Sequence, residues 1–115
     1  MATDWIEYLE QTLPQSLGFG KLIEYGEPFW HSTDNDAELE GDEIITLVGQ
    51  TIKVARMYEM AAGQVKFRSL TYSLFIRAED NMILCCAFRN PLEIEEREIW
   101  PALSQAIQLM AVSTT

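Results

Sequence analysis

"SLFIRAEDNMILCCAF", residues 73–88, holds two apolar runs on either side of Glu79, Asp80 and Asn81. Aliphatic and aromatic runs separated by Asp and Asn read as two strands joined by a tight turn. The second run, Met82 to Phe88, is apolar throughout, so polar residues line neither of its faces. Such a strand is buried on both sides and belongs in the middle of a sheet. Cys85 and Cys86 are adjacent within it. Successive strand side chains face opposite ways, so the pair offers neither a structural disulfide nor a Cys-x-x-Cys metal site. Both read as small apolar residues.

Working toward the N-terminus, Val65 to Ala78 would make a strand longer than the usual maximum of about 10 residues. A bend or break is therefore predicted around Ser69 to Ser73. Further upstream, the chain alternates Leu22 and Glu24 against Lys21, Ile23 and Tyr25, meets Gly26, Glu27 and Pro28, then resumes with Phe29, Trp30 and His31. That pattern is a two-stranded hairpin. Before it, Trp5, Leu9 and Leu13 share one helical face with Ile6 beside them. This predicts a short amphipathic helix over Asp4 to Leu17, ending near Gly18, with Asp4 and Glu7 as a capping box.

Between the hairpin and the later strands, Ile44, Ile45, Leu47, Val48, Ile52, Val54, Ala55, Tyr58 and Ala62 form the apolar face of a long helix, with Gly63 as its stop. This face is wider than the ~100° stripe that suffices to cover one sheet. The helix is expected to touch two things. At the other end, Asn90 and Pro91 can cap and open a last helix whose early Glu residues suit its positive end. Pro101 should kink or restart it and push Trp100 away from helical geometry. Leu103, Ile107 and Met110 carry its apolar face.

A chain of 115 residues that is 48% hydrophobic can bury one core. Its formal charge of −10 makes contact with nucleic-acid phosphates or anionic lipid begin with repulsion. Neither nucleic acid nor a membrane is an expected partner. No apolar run approaches the roughly 20 residues of a bilayer span, and the first residues lack the features of a secretion signal. The expected location is cytoplasmic.

Asp34, Asp36, Glu38, Glu40, Asp42 and Glu43 crowd one stretch. Counted from Asp36, a calcium loop would have Gly41 in its glycine place, but the bidentate glutamate position is Leu47. The stretch is read as solvated charge at the start of the long helix. His31 is the only histidine and has no second metal ligand of the zinc type. Ser32, Thr33 and Asp34 beside it do not make a triad, and no Gly-x-Ser-x-Gly turn exists. Gly18 and Gly20 lack the third glycine and basic residue of a nucleotide loop. No catalytic residue, cofactor or metal is expected. Trp5 and Phe67 are read as core, while Trp30, Tyr58 and Trp100 are candidate interface anchors.

The order helix, hairpin, long helix, two or three strands, helix resembles the roadblock/dynein-light-chain family, whose α-β-β-α-β-β-β-α domain is related to profilin-like and longin folds. The resemblance spans nearly the whole chain. It rests on "KLIEYGEPFWHST" at residues 21–33, on the helix from Asp42 to Ala62, and on the strand pair quoted first. It implies an α/β (α+β) fold over residues 1–115 as one domain, with a central antiparallel sheet flanked by helices. It also implies a non-enzymatic homodimer, joined through the long helix and the adjoining edge strand, that serves as a scaffold or as a partner of small GTPases. Leu47, Val54, Tyr58, Val65 and Phe67 would then map to the dimer face. The chain is similar, too, to small acidic chaperones of bacterial secretion systems, although those place three strands before the long helix. In overall look it resembles small cyanobacterial factors that assist carboxysome-shell assembly by holding a shell-protein tail. The expected function is a non-catalytic adaptor or assembly chaperone that binds a tail, strand or helix of a partner protein.

Overall fold

The central strand is the one the sequence singles out. In the computed structural model, which describes residues 4–23, 29–32, 63–79 and 82–113 and the single positions 46, 49 and 53, Met82–Arg89 is strand β5. It is the middle strand of a five-stranded antiparallel sheet of described strands, β1 (Gly18–Ile23), β2 (Phe29–Ser32), β3 (Gly63–Arg68), β4 (Tyr72–Glu79) and β5, in the spatial order β2-β1-β5-β4-β3. Two described helices flank the sheet, α1 (Trp5–Thr12) and α2 (Glu96–Ser113). The expected α+β architecture with a central antiparallel sheet is thus observed.

β5 pairs with β4 from Tyr72↔Arg89 to Glu79↔Met82, and with β1 from Gly18↔Ala87 to Ile23↔Met82. Both of its faces are closed. Leu84, Cys86 and Phe88 point into one core with Phe19, Phe75, Trp5, Leu9 and Leu13, while Ile83, Cys85 and Ala87 point into a second with Leu17, Leu74, Ile76 and Ala78. The two cysteines are free, buried and on opposite faces, as the alternation requires.

α2 seals the first face. Ile99, Ala102, Leu103, Ala106, Ile107 and Met110 recur at helical spacing and are all buried against it. The helix starts at Glu96, not at Asn90–Pro91. Asn90 is spent elsewhere, as described below. Pro101 lies inside a continuous helix, so it does not restart it, and Trp100 is helical, contrary to the expectation that it would be pushed away from helical geometry. Near the N-terminus, proline removes one backbone donor and therefore one bond. The aromatic and aliphatic residues on both sides of it are held by the core, and that packing outweighs the loss.

α1 is shorter than the sequence suggested. It ends at Thr12 because Leu13 precedes Pro14 and is pushed out of the helical region, to φ −123° and ψ 63°. Leu13 and Leu17 remain buried, so the periodicity reflected burial beyond the helix end. Asp4 occupies the N-cap in extended geometry but makes no side-chain capping bond.

The predicted break between the two later strands exists and falls at Ser69–Thr71. Of the long central helix, Thr46, Gly49 and Lys53 are described; all three are helical and exposed. Leu47, Val54, Tyr58, the turn at residues 24–28 and the acidic stretch 34–43 lie outside the described residues.

Candidate partner-binding surface

β3 is the last strand of the sheet, and no described strand pairs with its outer edge. Its register against β4 puts Val65 opposite Ile76 and Phe67 opposite Leu74, on the second core face. Val65 packs there partly buried. Phe67 is 38% exposed, which corrects its reading as a core residue. Apolar side chains stop being covered where the strand runs past the edge of the core.

The opposite side of β3 is held inward. Lys66 Nζ lies 2.8 Å from Glu96 Oε2 and 5.7 Å from the centre of the Phe75 ring. Trp100 packs edge-on against the same ring at 5.3 Å and its Nε1 donates to Glu96 Oε1 at 3.3 Å. Trp100, a candidate anchor, is therefore half-buried in a contact within the chain. The Lys66 ammonium, by its hydrogen bond, holds the Glu96 carboxyl below the usual carboxylate range.

Trp30 is also engaged. Its indole lies across β1 so closely that a Cβ on Gly18 would come 2.5 Å from Trp30 Cζ2, and one on Gly20 would come 2.9 Å from Cys85 Sγ and 3.0 Å from Trp30 Cε3. The two glycines flanking Phe19 serve packing: they make a flat bed for a tryptophan from the neighbouring strand. Trp30 Nε1 is buried and makes no hydrogen bond. Sequence reasoning tested these glycines only as a phosphate loop. The pairing register Gly20↔Trp30 explains why they are small.

His31 stacks on Phe19 with ring centres 6.4 Å apart, and its Nε2 lies 3.4 Å from Glu10 Oε1 of α1. Among the described residues no group of three or more His, Cys, Asp or Glu side chains could hold a metal ion. Burial raises the Cys86 thiol well above its ordinary value, with Cys85 adding to the effect, so it stays a protonated apolar group. A groove of about 290 Å³ runs along Gln15, Leu17, Phe88, Arg89, Asn90, Pro91 and Glu93. It carries no nucleophile paired with a base.

The residue that sequence reasoning missed is Leu70. It is 100% exposed at the tip of the β3–β4 turn. The one available signal was its position: a leucine inside a predicted break has no strand face to point into.

The architecture has a counterpart among solved structures. The crystal structure of MglC from Myxococcus xanthus superposes with a TM-score of 0.63 over 91% of this chain and 95% of that chain, at 18% identity. The fold is roadblock-like. No protein-family profile and no curated protein matches the sequence. The roadblock-like likeness thus resides in strand order and helix placement, with little residue identity behind it. Among the described residues no helix is long and apolar enough to cross a membrane.

Proposed function

We propose that this chain is a non-catalytic protein-binding module, an adaptor or assembly chaperone that works as a homodimer. The observation that supports the reading is the β3 edge. It leaves a row of backbone donors and acceptors unpaired among the described strands, with Phe67 beside them exposed. The dimer face combines Val65 and Phe67 with the long helix expected to carry Leu47, Val54 and Tyr58. A helix whose apolar face is wider than one sheet needs a second surface to cover it.

Two partner classes fit this reading: a flexible tail of a larger assembly, and a small GTPase. The roadblock-like fold favours the second, as a regulator or scaffold of a GTPase system. A protein of net charge −10 selects against acidic partners over most of its surface. The test is binding of candidate GTPases loaded with GDP or with a non-hydrolysable GTP analogue, followed by calorimetry. Affinity that depends on the nucleotide supports the regulator. Equal affinity, or binding confined to a detached tail peptide, supports the assembly chaperone. A metabolite or metal retained by purified protein would return attention to an enzyme or a metal-binding protein.

A further inference from the structure

The β3–β4 turn is braced far beyond what a surface loop needs. Ser69 Oγ accepts from the backbone N–H groups of Thr71 at 3.2 Å and Tyr72 at 3.0 Å, and Ser69 N–H donates to Tyr72 O at 2.8 Å. Asn90, at the end of β5, ties the turn from behind. Its Nδ2 donates to Ser69 O at 2.8 Å, its backbone N–H donates to Thr71 O at 2.8 Å, and its Oδ1 accepts from Ser73 Oγ at 2.7 Å. These bonds fix the backbone on both sides of a fully exposed Leu70. A single exposed leucine on a mobile tip is ordinary. One whose flanking backbone is held by a rigid frame is pre-organised for contact.

Charge says what it contacts. Arg68, between Phe67 and Ser69, is exposed, and among the described residues it has no carboxylate partner, whereas Lys66 is matched by Glu96 and Arg77 lies near Glu79. Asn90 also lines the groove, together with Arg89, Pro91, Leu17 and Glu93. The corner is thus apolar, with cationic side chains, in a chain whose formal charge is −10. Glu93 is the one acidic side chain in the groove lining.

We propose that the corner of Arg68 and Leu70, continued by the adjoining groove, docks an extended segment of a partner protein that carries a large apolar residue next to a carboxylate. An apolar side chain covers Leu70, and a carboxylate meets Arg68. Arg favours such pairs because its planar fork can bind a carboxylate through two parallel hydrogen bonds. This surface is distinct from the dimer contact along the β3 edge, and it is served by residues that the dimer does not require.

The test is selection from a displayed library of random peptides about ten residues long against the purified full chain. Enriched peptides are expected to combine Leu, Ile or Phe with Asp or Glu. They should bind Leu70→Ser and Arg68→Glu about tenfold more weakly or worse. Exchanging the peptide carboxylates for lysines should restore binding to Arg68→Glu. Leu70 buries nothing, so Leu70→Ser keeps the fold, which circular dichroism verifies. The proposal is overturned if no peptide is enriched, if the enriched peptides are basic, or if they bind both variants as well as wild type. A drop in molecular mass of Leu70→Ser in light scattering would show that a second copy of the chain occupies the corner, and would also overturn it. Failure of the dimer reading is separate: it is read from Phe67→Glu.

Discussion

Lys66 on the edge strand and Glu96 at the first turn of α2 meet at 2.8 Å, joining the sheet's outermost strand to the helix that closes its core. The pair lies 30 residues apart in sequence and is shared with Trp100, which donates to the same carboxylate. Acidic groups near a helix N-terminus are favoured by the helix dipole, and Glu96 is in that place. The result is an inner side of β3 fixed at Lys66, with the outer edge and Phe67 left open.

Removing the cation should be visible in the titration of its partner. Glu96 is held below the ordinary carboxylate range chiefly by the Lys66 hydrogen bond. In Lys66→Ala its carboxyl should titrate higher, nearer the ordinary value, in carbon-13 NMR. The sign follows from linkage: a lowered folded-state pKa contributes stability above the unfolded pKa, and that contribution is lost as pH falls through the folded value. The wild type should therefore lose more stability than Lys66→Ala on acidification. Equal acid sensitivity, with Glu96 titrating unchanged, would contradict the assignment.

The glycine bed under Trp30 gives a second expectation. Gly18→Ala places a methyl 2.5 Å from the indole and 2.8 Å from His31 O, and the carbonyl cannot yield as a side-chain tip can. A loss of about 1–3 kcal/mol in urea unfolding is expected, with altered tryptophan fluorescence, as for other overpacked sites. Trp30→Ala should also destabilise, by about 3 kcal/mol, because it strips the cover from both glycines. Trp30 is thus a poor probe of binding, since its loss acts on the fold itself.

For the central strand, Leu84→Ala is expected to cost about 2–5 kcal/mol, since Leu84 is fully buried beneath α2. Thermal or chemical unfolding checks this. A change below about 1 kcal/mol would mean the face is packed differently.

Neither cysteine should react with a thiol reagent in the native protein. Both are buried, and the Cys86 thiol is pushed upward by burial, so little thiolate exists near neutral pH. Two thiols should appear together on unfolding in denaturant. Prompt reaction of one under native conditions would contradict the buried placement.

How much of this was legible in the sequence depended on the physical signal. The unbroken apolar run of β5 announced a central strand, and excess length announced the break at Ser69–Thr71, because both follow from burial and geometry that local composition carries. The end of α1 was missed because buried Leu13 and Leu17 continued the apolar spacing past Pro14, whose effect on Leu13 decided the boundary. Asn90–Pro91 looked like a helix start, yet Asn90 bonds the β3–β4 turn, a tertiary demand that no local pattern reveals. The same holds for Gly18 and Gly20, which became intelligible only when the register brought Trp30 across them. Of the candidate interface residues, Phe67 is exposed, Val65, Trp30 and Trp100 are packed within the chain, and Leu47, Val54 and Tyr58 lie outside the described residues.

The most direct measurement is the solution mass of the wild type and of Phe67→Glu by light scattering across a range of concentrations. A dimer through the β3 edge gives the wild type twice the 13.2 kDa of one chain, and Phe67→Glu returns to 13.2 kDa with native circular dichroism, because its charge cannot be buried against a second copy. A wild type that stays at 13.2 kDa at every concentration, or a Phe67→Glu variant that remains dimeric, would contradict it.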